Sequence, residues 1–108
     1  MKIDHGLSET TIDCITQVLA RFPRVKKALL FGSRAKGTHK PGSDIDLALA
    51  GPDLDWRTLG GIYSEFDDTK LPYHFSLVLL NGRIDVDVAA HIRRVGIPIY
   101  ESAAVAAR

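Results

Sequence analysis

Two acids two residues apart, Asp44 and Asp46, follow a small-residue turn, Gly32-Ser33, and a loop that carries Arg34, Lys36, His39 and Lys40. These residue types suit phosphate and divalent-cation chemistry. A glycine lets the main chain approach a phosphate closely, Ser33 adds a hydroxyl donor, and the first turn of a following helix offers unpaired N–H groups. The four basic residues add positive charge, and arginine can grip phosphate oxygens through two parallel hydrogen bonds. On a strand, Asp44 and Asp46 would share a face with their Cα atoms about 7 Å apart. Two carboxylates so placed repel unless a cation sits between them. Magnesium is the natural candidate, because it takes oxygen ligands and completes its shell with water and substrate phosphates. The expected site therefore has Asp44 and Asp46 as catalytic, metal-binding residues. Gly32, Ser33, Arg34, Lys36 and Ser43 are expected to bind a nucleoside triphosphate.

Taken singly, each piece has a plainer reading: a Gly-Ser turn is common, and Asp-x-Asp can be a solvated strand end. Their order is what adds weight, because a strand, a turn, a basic loop and an acid pair opening the next strand form the required structural context. The apolar run Val25, Ala28, Leu29, Leu30, Phe31 predicts a buried strand ending at Gly32-Ser33. Pro41-Gly42-Ser43 predicts a turn, and the alternation from Asp44 to Ala50 a second strand. Ser8 is placed to cap a first helix whose Ile12, Ile15, Val18, Leu19 and Phe22 line one side and which ends before Pro23. Trp56, Leu59, Ile62, Tyr63 and Phe66 mark a second amphipathic helix, its aromatic residues read as core, although Gly60-Gly61 weakens it. A strand from Tyr73 to Leu80, a helix from Val86 to Val95 and an extended Ile97 to Tyr100 complete the order. The expected fold class is α+β with an α/β-like order, a single mixed sheet flanked by helices. His91, Arg93 and Arg94 are read as solvated residues of the last helix.

A chain of 108 residues fits one domain, expected over 1–101, with the alanine-rich 102–108 as a disordered tail. It leaves no room for a second domain holding an acceptor, so any acceptor is expected from outside. A net charge of +1 supplies no global field for nucleic acid. The single cysteine, Cys14, excludes an internal disulfide and falls in a helical pattern where a buried thiol is expected. No apolar signal core or span-length segment stands in the sequence, so a cytoplasmic location without a membrane partner is expected. A homo-oligomer stays open.

Gly32-Ser33-Arg34 followed by Ser43-Asp44-Ile45-Asp46-Leu47 resembles the signature of the DNA polymerase β-like nucleotidyltransferase superfamily. Asp4-His5-Gly6-Leu7-Ser8-Glu9, Leu71-Pro72-Tyr73 and His91-Ile92-Arg93-Arg94-Val95-Gly96 with Tyr100 are similar to the minimal nucleotidyltransferase (MNT) group, over nearly the whole chain. The resemblance implies the polymerase β-like fold and nucleotidyl transfer with ATP and magnesium. It also implies an antitoxin-like role beside a HEPN-domain ribonuclease toxin, which some members silence by moving AMP onto a tyrosine. A third metal-binding aspartate is implied in the strand after Leu71-Pro72-Tyr73, and that place falls on Ser76. A neutral hydroxyl ligates magnesium weakly and is no base at pH 7.

Two ways remain to place the nearby acids. If Asn81-Gly82 turns a hairpin, Asp85 or Asp87 would return a carboxylate to the site. Collinearity with the family instead puts both at the entrance of the last helix, as capping or first-turn residues, and this is the preferred reading. The leading function is a protein adenylyltransferase-like enzyme acting on a HEPN-type partner. Second comes a catalytically impaired antitoxin that neutralises its partner by contact, favoured by Ser76. Transfer to a small molecule ranks last.

Overall fold

The computed structural model describes residues 6–40, 42–80 and 86–102. Along the described residues the chain runs α1 (Glu9–Ala20), β1 (Lys27–Phe31), α2 (Gly32–Lys36), β2 (Ile45–Ala50), α3 (Trp56–Asp68), β3 (Phe75–Leu79), α4 (Val86–Val95) and β4 (Ile97–Glu101). The strands form one sheet in the order β3-β2-β1-β4. β1 is antiparallel to both β2 and β4, whereas β2 and β3 run parallel. A parallel pair needs a crossover. Here α3 provides it.

Local chemistry accounts for the ends of the elements. Ser8 caps α1, its hydroxyl accepting from the Thr11 N–H at 3.1 Å. Asp55 does the same for α3, accepting from the Thr58 N–H at 2.8 Å and from its hydroxyl at 2.9 Å. Gly61 of α3 lies against the segment that follows α1: a Cβ there would stand 3.1 Å from the Phe22 ring. The missing side chain allows that close approach.

Alternation along the strands divides the sheet into two faces. Ala28, Leu30, Ile45, Leu47, Leu49 and Leu77 face α1 and α3, packing on Ile15, Val18, Leu19, Ile62 and Phe66 in the main core. The opposite face has a smaller cluster of Phe31, Ala48 and Ile92 from α4, with Leu29, Val78, Leu80 and Val88 half-buried around it. Stacked rings of Phe66 and Phe75, 4.0 Å between centroids, join α3 to β3. On the outer edge of β3, the Leu77 N–H donates to the Tyr63 hydroxyl at 2.9 Å, occupying one edge donor.

Three expectations change. Trp56 is no core residue: it is 74% exposed at the start of α3, with the Arg57 guanidinium over its ring, 5.4 Å from the centroid. Cys14 is half-buried rather than enclosed. Ser102, assigned to the tail, still donates its N–H to the Lys26 carbonyl at 2.9 Å, while 103–108 lie outside the described residues.

Candidate active site

β1 delivers the turn and β2 the acids. At the end of β1, Phe31 is extended and serves as the N-cap of α2, but its side chain offers no capping bond. Gly32 follows with φ +75°, in the left-handed region that side chains rarely adopt. A Cβ there would overlap Oδ2 of Asp46. The glycine thus serves two ends, turning the chain and leaving space for the carboxylate beside it.

Three strands bring one row of residues together. Phe31 is the Cα partner of Asp46 on one side, and Asp46 is the partner of Ser76 on the other. Paired residues point to the same face. Asp46 therefore projects onto the α4 side of the sheet with Ser76 beside it, the place where the resemblance puts a third acid. Among the described residues, no grouping of three His, Cys, Asp or Glu assembles around a potential metal position. Asp87 lies in the first turn of α4, so it is helical rather than part of a returning hairpin strand. Asp85 lies outside the described residues.

Asp44 sits exposed one residue before β2 rather than inside it. The Asp46 carboxyl is held above the ordinary carboxylate range, chiefly by burial and then by the negative charge of Asp44. A cation between the acids would relieve that repulsion. Two carboxylates are the hard oxygen donors that a divalent ion takes, and Asp44 and Asp46 are the residues that would hold one.

The basic loop divides into inward and outward parts. Arg34 is 2% exposed, and its Nε and a terminal nitrogen both donate to the Ser43 carbonyl, at 3.2 and 3.0 Å. Its guanidinium also lies 5.1 Å over the Tyr73 ring. The Ser43 hydroxyl in turn accepts from the Lys40 N–H at 2.8 Å. Arg34 and Ser43, expected to contact nucleotide, are engaged in fixing the loop that leads into Asp44. Lys36 is exposed and Ser33 half-buried, with the Ser33 hydroxyl in no hydrogen bond among the described residues. Beneath Arg34, Gly6, His39, Gly42 and Tyr73 complete the lining of a cavity of about 330 Å³.

His91 was read as solvated, and the fold places it otherwise. Its ring is half-buried, edge-on to Phe31 at 6.1 Å between centroids, and its Nε2 accepts the Gly32 N–H at 3.0 Å. The residues of this bond are 59 apart in sequence. The only advance sign was its place in the His91-Ile92-Arg93-Arg94-Val95-Gly96 segment; no local pattern gave its neighbour. Arg93 and Arg94 are exposed, as expected.

A family model for polymerase β nucleotidyltransferases matches residues 13–104, which includes the turn, both acids, Ser76 and α4. The chain belongs to the polymerase β nucleotidyltransferase family. No curated protein matches it in sequence. Solved structures share the fold. A toxin–antitoxin complex with AMP-PNP superposes with TM-score 0.71 at 23% identity, covering 86% of this chain and 75% of that one. The MntA–HepT toxin–antitoxin complex gives TM-score 0.67 at 20% identity over 88% and 74% of the two chains. A tri-AMPylated HEPN toxin with its MNT antitoxin from Shewanella oneidensis gives TM-score 0.57 at 22% identity over 84% and 70%. In this chain the Gly-Ser turn and the acid pair lie at neighbouring strand ends. Among the described residues of this member, no helix is long and apolar enough to cross a membrane.

Proposed function

We propose that this nucleotidyltransferase moves AMP from ATP, with magnesium, onto a hydroxyl of a HEPN-type protein partner, acting as a cytoplasmic antitoxin. The observation that carries this reading is the contact of the Gly32 turn with the Asp46 carboxylate, which sets a phosphate-holding main chain beside a metal-holding acid. The partner class rests on the likeness to toxin–antitoxin complexes, one with AMP-PNP and one with an AMPylated toxin.

In this reading the Gly32-Ser33 turn receives the β- and γ-phosphates, Gly32 by allowing close approach and Ser33 through its N–H and hydroxyl, and Lys36 adds charge at the rim. Asp44 and Asp46 would hold magnesium, which when bound supplies charge neutralisation at the reacting phosphates. The partner's hydroxyl oxygen attacks the α-phosphorus, the bond from that phosphorus to its bridging oxygen breaks, pyrophosphate leaves and the hydroxyl proton passes to solvent. Catalysis is then mainly positioning and charge stabilisation. Arg34 contributes by holding Ser43, and so the approach to Asp44.

Ser76 favours a second reading, binding of the partner without transfer. Label transfer from α-labelled ATP with magnesium to a co-purified HEPN-domain protein separates the two. The transferase reading expects the parent to label it and Asp44→Ala to lose the label. Labelling by Asp44→Ala at the parent's level would sink it. A silent parent beside an active Ser76→Asp would establish the second reading, with the complex itself unaffected by Asp44→Ala.

A further inference from the structure

The bond between Gly32 and His91 has an unusual division of labour. The first N–H groups of a helix lack intrahelical acceptors, and the common remedy is a Ser, Thr, Asp or Asn side chain at the N-cap. α1 and α3 follow it with Ser8 and Asp55. α2 has Phe31 in that place and no side-chain capping bond of its own. The Gly32 N–H instead reaches an acceptor on α4, Nε2 of His91, at 3.0 Å.

The imidazole is itself fixed. Ile92, the next residue, is 4% exposed in the cluster with Phe31 and Ala48, which anchors α4 at this level. The Phe31 ring meets His91 edge-on, 77° between planes. The neutral ring that accepts through Nε2 carries its proton on Nδ1. A side chain at residue 32 would overlap the Asp46 carboxylate, so the turn that His91 holds stands beside that acid.

We propose that His91 is a positioning residue for nucleotide binding, holding the Gly32-Ser33 turn in the orientation that receives the β- and γ-phosphates. The proposal rests on the nucleotidyl-transfer reading above and names a residue which that reading does not require. His91 acts through the turn and touches neither the acceptor nor the reacting phosphorus. Its contribution is one hydrogen bond that fixes the conformation of a permissive glycine before the nucleotide arrives.

The test is the affinity of the purified chain for AMP-PNP and for AMP, both with magnesium, by titration calorimetry, in the parent, His91→Phe and His91→Gln. Phenylalanine keeps the aromatic packing against Phe31 and removes the acceptor. Glutamine restores an acceptor at similar reach. His91→Phe is expected to weaken AMP-PNP about tenfold, the scale of one well-placed hydrogen bond, while changing AMP by less than about twofold. His91→Gln is expected to recover most of the loss. General loosening would weaken both ligands alike and would not be repaired by glutamine, and that pattern overturns the proposal. So does AMP-PNP affinity that is unchanged or tighter in His91→Phe. If the parent binds neither ligand, the nucleotidyl-transfer reading fails and this proposal with it. A parent that binds AMP-PNP beside an indifferent His91→Phe removes the positioning role alone.

Discussion

The two faces of the sheet are built to different standards. One is closed by α1 and α3 over fully buried Leu30, Ile45, Leu47 and Leu49, and both helices begin with caps from their own sequence. The other carries Asp46, Ser76 and the turn at Gly32, is covered by α4, and includes α2, which takes its acceptor from a distant histidine. Adjacent residues of β2 serve opposite ends: Leu47 goes into the core and Asp46 into the site. The fully buried side chains lie mostly on the first face, while the second carries a half-buried, partly repelled carboxylate.

Exchanging the two neighbours on β2 should therefore give opposite outcomes. Leu47→Ala removes a fully buried side chain and is expected to cost about 2–5 kcal/mol, read by denaturant unfolding. Asp46→Asn is expected to abolish label transfer yet leave the melting temperature no lower than the parent's at pH 7. The sign follows from the raised carboxyl: burial and Asp44 disfavour the ionised form in the folded chain, so removing the charge relieves a cost. A large loss of stability in Asp46→Asn would break the division between the faces.

Two glycines sharpen the contrast at a smaller scale. Gly32→Ala meets both a left-handed backbone and the Asp46 carboxylate. The backbone term alone is about 1–2 kcal/mol, and AMP-PNP binding should fall with it. Gly60→Ala, in α3 with nothing within 4 Å of an added Cβ, is expected to stabilise by about 0.5–1 kcal/mol and leave nucleotide binding unchanged. Thermal melts of the two variants check both signs.

What the sequence disclosed follows the same division. The closed face repeats its signal many times over in Ile15, Val18, Leu19, Ile62 and Phe66, so periodicity alone located its helices. The acid pair and Gly32 were legible because they are contiguous and because only certain residue types suit their task. Ser76 was placed by resemblance, and the pairing of β2 with β3 puts it across from Asp46. The inward turn of Arg34 and the reach of His91 to Gly32 depend on tertiary contacts that no local pattern encodes. Trp56 shows the converse: it keeps helical spacing with core residues, yet lies at the first residue of α3, beyond the reach of α1 and the sheet.

The caps of the closed face give the smallest expected effect and the most specific sign. Asp55 is held below the ordinary carboxylate range, first by the Thr58 backbone N–H and then by the Thr58 hydroxyl; burial opposes them, and Arg24 and Arg57 add smaller contributions in the same direction as Thr58. Its folded value is therefore lower than its unfolded value of about 4. The stabilisation from its charge is fully present above that unfolded value and disappears as pH falls through the lower folded one. Asparagine caps helices about as well as aspartate but carries no charge. Asp55→Asn should consequently melt slightly below the parent at pH 7, with the same small gap at pH 6, and the gap should close below about pH 4. Melting curves across that range decide it: a gap that stays constant into acid would mean that the cap acts through its hydrogen bonds alone and that its charge contributes nothing to α3.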